Sequence, residues 1–321
     1  MPNPFLVVIG DPAAPFVAPL SRLPKNIDSL ITEDLGKLKA AVPDADALLF
    51  AGFSDALVRV LPLAVRVRWI HSLWTGVEGI LTPDMLKHPA ILTNGRGAFR
   101  WPLADWVAAA MLFFAFELGR VIRQQEKRVW QPFISTSLEG RTLGIIGYGS
   151  IGGAAAGRAR CFGMKIAALR RRPDLLEGDP LVDHGYAPGQ IKELMAGSDY
   201  LLLATPLTAQ TRGLIGEAEL AAMKPSAVLI NAGRGPVIDE GALIRALESG
   251  RIRGAALDVF DREPLPVEHP FWQMPNVLVS PHTADRVEGF LAPAFECFFE
   301  NLDRFLNGEP VLNVVDKLAG Y

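Results

Sequence analysis

The stretch that most constrains the fold of this chain is RTLGIIGYGSIG, at residues 141–152. The apolar run at 143–146 is typical of a buried strand, and a glycine loop and a run of small residues follow it. In such a strand–loop–helix unit, the first glycine allows a tight turn, the second lets the backbone approach a pyrophosphate, and the third lets helix and strand pack closely. The N–H groups of the first helical turn and the helix dipole face the anion. The sequence therefore predicts a dinucleotide site at Gly147, Tyr148, Gly149, Ser150, Ile151 and Gly152.

Composition indicates a globular protein in a reducing compartment. The chain has 321 residues, of which 50% are hydrophobic and 21% charged, enough for two domains with substantial cores. A net charge of -3 gives no general attraction to nucleic acid or to anionic lipid. Cys161 and Cys297 lie far apart and have no partners at metal-ligand spacing, so we expect free thiols and no metal site. The N-terminus, MPNPFLVVIGDP, lacks a basic leader, so we expect a first core strand and a cytoplasmic protein.

One apolar segment resembles a membrane helix. It is WVAAAMLFFAF at residues 106–116, bounded by Asp105 and Glu117. Its 11 residues fall short of the ~20 that cross a bilayer, so we predict a buried helix and no membrane partner.

Short β-rich runs alternate with helical patterns along the chain, which predicts an α/β protein with two doubly wound parallel sheets, Rossmann-like and flavodoxin-like. Besides 143–146, the predicted strands are 5–9, 47–51, 67–73, 90–93, 165–169, 200–204, 227–231, 255–260 and 276–280. The main predicted helices are 102–123, 153–162, 240–249 and 288–306.

A nucleotide unit that begins near residue 140 leaves about four strands for a separate, earlier sheet. The last predicted helix has a broad apolar face, and we expect it to pack on that first domain. The prediction is a discontinuous substrate domain at 1–98 plus 287–321, and a dinucleotide-binding domain at 99–286. In this arrangement the chain passes between the two domains twice, which suits hinge closure over a ligand bound in a cleft between them.

Ligands of open parallel sheets bind outside the carboxyl ends of the strands. The residues at these predicted ends are therefore candidates: Arg170, Arg171 and Arg172; Thr205 and Pro206; Ala232, Gly233 and Arg234; Asp258, Asp261 and Glu263; and His282. An arginine, a carboxylate and a histidine thus reach one edge of the sheet from three different strands.

This set suits reduction of a carbonyl group that lies beside a carboxylate. Arg234 can hold the carboxylate or polarise the carbonyl oxygen through paired hydrogen bonds. His282 can supply the proton, and Glu263 can raise the pKa of the imidazole and keep it charged near neutral pH. Asp261 is the less favoured partner of His282, and a purely structural histidine is the alternative for His282 itself.

Five ordered motifs resemble those of the D-isomer-specific 2-hydroxyacid dehydrogenases, glyoxylate/hydroxypyruvate reductases among them. They are RTLGIIGYGSIG, ATPLTAQTRGLI, LINAGRGPVIDEGAL, ALDVFDREPLP and VLVSPHTA. The resemblance implies catalytic roles for Arg234, Glu263 and His282. It also implies that Thr75, Gly76 and Val77 bind the substrate carboxylate and that Asp258 contacts the nicotinamide carboxamide. Thr205, Pro206, Thr211, Ala232 and Gly233 join the cofactor site, and a homodimer through the nucleotide domains is implied.

The second nucleotide strand departs from the pattern of NAD-preferring relatives, which have an acidic residue at its end. This chain has Arg170 there, 21 positions after Gly149 (170 − 149), followed by Arg171 and Arg172. An arginine fork binds the 2′-phosphate that an acid would repel, so we predict a preference for NADP(H), with NAD(H) still possible. A solvated surface run is the alternative for these arginines.

The resulting hypothesis is an oxidoreductase that transfers hydride from NADPH to the 2-oxo group of a small 2-oxo acid and gives the D-2-hydroxy acid. Glyoxylate, hydroxypyruvate and longer homologues are candidate substrates. A nucleotide-sensing binding protein, like the corepressors of the family, is the alternative. Trp74, Phe99, Arg100 and Trp101 lie near the carboxylate loop or the first crossing, and either pocket formation or core packing explains them.

Overall fold

The computed structural model describes residues 3–52 and 55–321. Over these residues the chain forms two compact units, one of Met1–Phe99 with Glu288–Tyr321 and one of Arg100–Val287. The chain leaves the first unit after Phe99 and returns to it at Glu288. The first unit is therefore discontinuous in sequence.

The described part of the first unit contains a five-stranded parallel sheet. Its strands are β1 (Phe5–Ile9), β2 (Asp28–Thr32), β3 (Ala47–Phe50), β4 (Trp69–Ser72) and β5 (Ile91–Asn94), in the order β2-β1-β3-β4-β5. This is the flavodoxin-like order. Its helices are α1 (Leu35–Ala41), α2 (Ala56–Val60), α3 (Pro83–Lys87) and a last helix, Ala292–Asn307, with short 3-10 segments at Pro15–Arg22, Val42–Asp44 and Leu61–Leu63.

The sequence predicts four strands in this part of the chain, and that count is wrong by one. β2, with the sequence DSLIT, lies at the edge of the sheet and is partly exposed, so it lacks the continuous apolar run of a buried strand. The other four strands overlap the predicted ranges. β3 and β4 are buried at every position, as expected for inner strands of a parallel sheet. The last helix packs its aromatic residues on β4, where the rings of Phe298 and Trp69 stack at 5.7 Å. The last helix thus belongs to the first unit.

The second unit has seven parallel strands among its described residues. They are β6 (Thr142–Ile146), β7 (Lys165–Leu169), β8 (His184–Tyr186), β9 (Tyr200–Leu203), β10 (Val228–Asn231), β11 (Gly254–Leu257) and β12 (Val277–Val279), in the order β12-β11-β10-β9-β6-β7-β8. Counted from β6, this is the Rossmann order with one further strand at the end, and the predicted fold class is confirmed. The order reverses between β6 and β9, which is where such sheets bind nucleotides.

The helices of this unit are α4 (Arg100–Ala115), α5 (Leu118–Lys127), α6 (Ser150–Cys161), α7 (Ile191–Gly197), α8 (Glu217–Ala222) and α9 (Glu240–Glu248). Further 3-10 segments lie at Pro173–Leu176, Pro188–Gln190, Gly235–Val237 and Pro270–Trp272. The short strand β8 is absent from the predicted set, because HGY has no apolar pattern.

The long helix predicted at 102–123 is two helices in the structure. Glu117 adopts a left-handed conformation, with φ 50°, and separates α4 from α5. α4 is apolar around most of its circumference because it packs against α6 and β10. The prediction of a buried helix is therefore correct up to Ala115, whereas Phe116 is half exposed. In the part of the chain that the structure describes, none of the helices is long and apolar enough to span a bilayer.

Candidate active site

The glycine loop joins β6 to α6 at the switch point of the sheet. Gly147 has φ 96°, and a Cβ atom there would lie 2.7 Å from the carbonyl carbon of Ala204, so only glycine fits. A Cβ at Gly152 would lie 2.9 Å from both the Gly147 carbonyl oxygen and a methyl carbon of Ile145. The turn and the close helix–strand contact predicted for these two glycines are thus present.

The residues around this loop fit a dinucleotide. A Cβ built on Gly149 has no described atom within 4 Å, so the backbone there is open to close approach. α6 begins at Ser150, and the N–H groups of its first turn have no acceptor within the helix. Among residues 3–52 and 55–321, two buried side-chain polar atoms lack a hydrogen-bond partner. The hydroxyl oxygen of Thr205 is one of them. It follows β9, directly beside the glycine loop, so a polar ligand group there would satisfy it.

The three arginines begin where β7 ends, and the glycine loop lies against this end. The carbonyl oxygen of Leu169 accepts hydrogen bonds from the N–H groups of Gly147 and Tyr148, each at 3.1 Å. Arg170 is partly buried, whereas Arg171 and Arg172 are exposed. Neither Arg170 nor Arg172 forms an ion pair within the described residues. The predicted basic group and the glycine loop are therefore neighbours.

The segment after β9 is a loop held together by its own threonines. The Thr211 hydroxyl donates to the Pro206 carbonyl at 2.6 Å, and it accepts the Thr208 N–H at 2.8 Å. Thr211 thus has a structural role that the sequence does not indicate, and its contact with the cofactor stays a prediction. Ala232 is tied to the same strand, because its N–H donates to the Leu203 carbonyl at 3.2 Å.

Arg234 follows β10 in a turn that two glycines and an asparagine shape. Asn231 is buried; its side-chain Oδ1 accepts the Gly233 N–H at 3.0 Å, and its side-chain Nδ2 donates to the Arg234 carbonyl at 3.1 Å. A Cβ at Gly235 would overlap the Phe260 carbonyl group, at 1.9 Å from its carbon. The backbone beside Arg234 therefore packs directly on the segment that leads to Glu263.

His282 and Glu263 form a hydrogen-bonded pair. Nδ1 of His282 lies 2.7 Å from Oε2 of Glu263, and Oε1 of Glu263 accepts the Phe260 N–H at 2.9 Å. His282 adopts φ 52°, and its own N–H donates to the Asp258 carbonyl at 2.9 Å. The predicted pairing of His282 with Glu263 is observed, and no bond from Asp261 to the imidazole is found in the described part of the chain.

Asp258 is buried beneath this pair, with 2% of its surface exposed. Its carboxylate accepts hydrogen bonds from the Ser280 hydroxyl at 2.6 Å, the Thr283 N–H at 2.9 Å and the Ala284 N–H at 3.1 Å. Asp258 therefore holds the Ser280 side chain before His282 and the backbone after it, a role that the sequence does not reveal. Its contact with a nicotinamide carboxamide stays a prediction.

The charges of the site favour a protonated imidazole. The hydrogen bond to Glu263 raises the pKa of His282, against the opposing effects of burial and of the Arg234 charge. Burial alone would raise the pKa of Glu263, but hydrogen bonds from His282 and the Phe260 N–H outweigh it, so that pKa is lowered. Burial raises the pKa of Asp258 despite its donors. The charge of Arg234 lowers the pKa of both His282 and Glu263, and its strand, β10, pairs with β11, from whose end the chain leads to Glu263.

In the first unit, Thr75, Gly76 and Val77 form a loop after β4 that Asn94 holds. The side-chain amide of Asn94 donates to the Thr75 carbonyl at 2.7 Å, and the Thr75 hydroxyl donates to the Gly95 carbonyl at 3.2 Å. Within the residues described, the N–H groups of Gly76 and Val77 donate to no protein acceptor. Two adjacent N–H groups of this kind can bind a carboxylate.

The sequence does not decide whether four residues form a pocket or pack in the core, and the structure divides these residues into two groups. They are Trp74, Phe99, Arg100 and Trp101. In the first unit, the rings of Trp74 and Phe99 stack at 6.2 Å, and Phe99 is 5% exposed, which favours core packing for Phe99. In the second unit, Trp101 lies under the guanidinium groups of Arg100 and Arg158, at 5.4 and 5.0 Å. Trp101 is half exposed there and belongs to the surface of α4.

A hydrogen-bonded histidine–carboxylate pair at the edge of a sheet with a dinucleotide-type glycine loop indicates an oxidoreductase of the Rossmann type. Residues 108–284 match the family model described as "D-isomer specific 2-hydroxyacid dehydrogenase, NAD binding domain". The chain belongs to this family. It is an enzyme, a nicotinamide-dependent D-2-hydroxyacid dehydrogenase that acts on oxo acids, and the predicted class is confirmed.

Relatives of known name agree with this class. The chain is 35% identical to a glyoxylate reductase of Korarchaeum cryptofilum over 284 residues, which are 86% of this chain and 84% of the relative. It is 37% identical to glyoxylate/hydroxypyruvate reductase B of Pectobacterium carotovorum over 259 residues, which are 79% and 80% of the two chains.

A solved structure covers nearly the whole chain. An NADPH-dependent glyoxylate/hydroxypyruvate reductase from Sinorhizobium meliloti, in complex with NADP and sulfate, has a TM-score of 0.86 and 27% identity. The match covers 99% of this chain and 100% of that one.

Proposed function

We propose that this enzyme is an NADPH-dependent reductase of small 2-oxo acids, such as glyoxylate or hydroxypyruvate, and that it forms the D-2-hydroxy acid. The observation that best supports the proposal is the His282–Glu263 pair beside Arg234, on the sheet edge that also bears the glycine loop. The sequence relatives named as glyoxylate reductases support the substrate class.

His282 is the proposed proton donor. Its Nδ1–H donates to Glu263, so Nε2 is the ring nitrogen that can face the substrate carbonyl. A bound reduced nicotinamide would supply the hydride for the carbonyl carbon, and His282 would release its Nε2 proton to the carbonyl oxygen. The imidazole is then neutral and keeps its Nδ1–H bond to Glu263, which holds the ring in the same orientation.

Arg234 and the loop of Thr75, Gly76 and Val77 are the proposed binding groups for the substrate. The Arg234 guanidinium offers paired donors to the carboxylate or to the carbonyl oxygen. The N–H groups of Gly76 and Val77 suit the carboxylate, since they have no other acceptor among the described residues. The first unit is accordingly the proposed substrate domain.

The order of side chains along the sheet edge supports the placement of the cofactor. His282 and Asp258 follow β12 and β11, Arg234 follows β10, Thr205 follows β9, the glycine loop follows β6 and Arg170 follows β7. We infer that the nicotinamide lies near Asp258, that the pyrophosphate lies on Gly149 and α6, and that the 2′-phosphate lies at Arg170, Arg171 and Arg172. Pro206, Thr211, Ala232 and Gly233 would complete the walls of this site.

The preference for NADP(H) has two supports. Arg170 and its two neighbours stand where an acid would bind the ribose of NAD, and they lie beside the glycine loop. The Sinorhizobium meliloti enzyme and a relative from Xanthobacter autotrophicus, with a TM-score of 0.86 and 29% identity, were solved with NADP and NADPH.

A homodimer and a cytoplasmic location complete the proposal. The segment after α5 exposes large apolar side chains, with Trp130 94% and Ile134 93% accessible, and such surfaces mark protein interfaces. Cys161 and Cys297 are both free thiols, as suits a reducing compartment.

A spectrophotometric panel tests the function. Glyoxylate, hydroxypyruvate, pyruvate and a bulky aromatic 2-oxo acid are each assayed with NADPH and with NADH, and the product is resolved by chiral chromatography. The proposal expects the highest kcat/KM for a small 2-oxo acid with NADPH, and a D-configured product where the product is chiral. Preference for NADH or for the bulky acid would contradict it.

A further inference from the structure

Tyr148, between the first two glycines of the loop, forms a long-range hydrogen bond. Its hydroxyl donates to Oδ2 of Asp179 at 3.1 Å, and only 5% of the residue is exposed. The ring lies along the first turn of α6, because a Cβ on Gly153 would lie 4.0 Å from the hydroxyl oxygen. The side chain of Tyr148 therefore points away from open solvent and toward the segment that follows β7.

Asp179 closes the segment that the three arginines open. The N–H of Asp179 donates to the Leu176 carbonyl at 3.2 Å, and its Oδ1 accepts the Leu181 N–H at 2.9 Å. The segment 170–179 contains the 3-10 turn Pro173–Leu176, and Gly178, next to its last residue, has φ 76°. Asp179 is thus anchored in its own backbone and offers its second oxygen to Tyr148.

The arginine segment is consequently fixed to the glycine loop at both ends. At its start, the Leu169 carbonyl accepts the N–H groups of Gly147 and Tyr148. At its end, the Asp179 carboxylate accepts the Tyr148 hydroxyl. Between these two points the described residues show few tertiary anchors; one is Leu176, which is buried against Gly185.

The charges around Tyr148 agree with this connection. Burial raises the pKa of Tyr148, Asp179 raises it further, and the charges of Arg170 and Arg160 oppose the rise. The hydroxyl therefore remains a donor across the physiological pH range. Arg160 has its own partners, the Asp183 carboxylate at 2.9 Å and the Leu181 carbonyl at 3.1 Å.

We propose that the Tyr148–Asp179 hydrogen bond is a brace that holds the arginine segment in position for the 2′-phosphate of NADP(H). Tyr148 and Asp179 are then positioning residues for cofactor selectivity. They act through Arg170, Arg171 and Arg172 and leave the reacting atoms untouched. This inference rests on the proposed preference for NADP(H).

The test is the ratio of kcat/KM for NADPH to kcat/KM for NADH. In Tyr148→Phe and in Asp179→Ala, the KM for NADPH should rise about 3- to 10-fold, the size of one lost hydrogen bond. The KM for NADH should rise by less, so the ratio should fall. Asp179→Asn retains an acceptor oxygen, so it should keep most of the wild-type ratio. The double variant should be no worse than either single variant, because both remove the same bond.

Tyr186→Phe is the matched control. Tyr186 lies on β8 beside the same segment, where its carbonyl accepts the Arg170 N–H, and its hydroxyl has no bond in the described residues. This variant should keep the wild-type ratio. Isothermal titration with 2′,5′-ADP and with 5′-ADP gives a second measurement that needs no turnover: Tyr148→Phe should weaken binding of 2′,5′-ADP more than binding of 5′-ADP.

The outcomes separate the two proposals. Wild-type preference for NADH would overturn the NADP(H) assignment and the brace with it. A wild-type preference for NADPH that Tyr148→Phe and Asp179→Ala leave unchanged would overturn the brace alone. Equal weakening of both cofactors in Tyr148→Phe would also overturn it, since the tyrosine would then support the glycine loop as a whole.

Discussion

The imidazole of His282 and the carboxylate of Glu263 meet at 2.7 Å, and the second oxygen of that carboxylate is occupied by the Phe260 N–H. Both oxygens of Glu263 therefore have donors, which fixes the side chain. One carboxylate thus orients the ring and favours its protonated form.

This relationship predicts the pH dependence of reduction. Because Glu263 raises the pKa of His282, kcat/KM for the 2-oxo acid should be level at low pH and fall about tenfold per unit above a break that lies above 6.5. Glu263→Gln removes the carboxylate that raises the pKa of His282, while burial and the Arg234 charge still lower this pKa. The break should therefore move to lower pH. pH–rate profiles of the two enzymes measure this.

Asp261→Asn is the control for the pH profile, since this carboxylate lies two residues away and makes no described bond to the imidazole. Its profile should match the wild type. A break that moves in Asp261→Asn and stays in place in Glu263→Gln would contradict the assignment.

Gly149 and Gly157 provide a matched pair for the cofactor site. Both have open space where a Cβ would point, within the described residues, and both lie at or in α6. Gly149→Ala should keep the fold but raise the Kd for NADPH by at least about tenfold, roughly 1.4 kcal/mol, because the methyl group occupies the pyrophosphate position. Gly157→Ala should leave the Kd unchanged and stabilise the helix by roughly 0.5–1 kcal/mol. Fluorescence titration and thermal unfolding test both, and equal Kd values for the two variants would refute the placement of the pyrophosphate.

Asn94 should control the affinity for the substrate carboxylate. Asn94→Ala removes the donor that holds the Thr75 carbonyl, so we expect KM for the 2-oxo acid to rise about tenfold, as for one or two lost hydrogen bonds. Asn276→Ala removes a similar bond, from the amide to the Leu247 carbonyl at 3.1 Å, away from the proposed site. The control should leave this KM unchanged, and neither variant should change the KM for NADPH. Equal effects of the two variants would speak against the proposed carboxylate loop.

His71 should make the fold sensitive to acid. It is fully buried, burial lowers its pKa to about 3, and among the described residues Nε2 has no partner. An unfolded histidine titrates near 6.5, so the folded state loses stability as the pH falls from about 6.5 to about 3, at up to roughly 1.4 kcal/mol per unit. In His71→Gln this part of the slope should disappear. Urea unfolding between pH 7 and pH 5 compares the slopes, and identical slopes would contradict the buried neutral state of His71.

The parts of the fold that could be predicted are those that local pattern determines. The apolar run of β3 identifies a buried strand of the first sheet, and the apolar runs of β6 and β9 with the glycines of the loop identify a parallel nucleotide-binding sheet. β2 and β8 are mixed or polar edge strands, so pairing with a neighbour defines them more than composition does. The break at Glu117 is a single residue in a left-handed conformation, which no helical periodicity reveals.

In the site, the sequence placed residue types at strand ends but could not show their hydrogen bonds. Asn94, Asn231 and Ser280 hold the loops, and each is a common residue with no distinctive spacing. The Tyr148–Asp179 bond joins residues 31 positions apart, so only the folded chain shows it. Hydrogen bonds between partly or fully buried polar atoms identify such residues, and only the structure shows these bonds.

The most direct test of the central claim is steady-state reduction of glyoxylate or hydroxypyruvate with NADPH. The wild type is compared with His282→Ala and with His184→Gln. His184 is an exposed histidine on β8 and serves as the control. We predict that kcat falls by about 10²–10⁴ in His282→Ala, with an unchanged KM for NADPH, and that His184→Gln retains wild-type rates. Turnover in His282→Ala within a few-fold of the wild type would contradict the role of His282 as the proton donor.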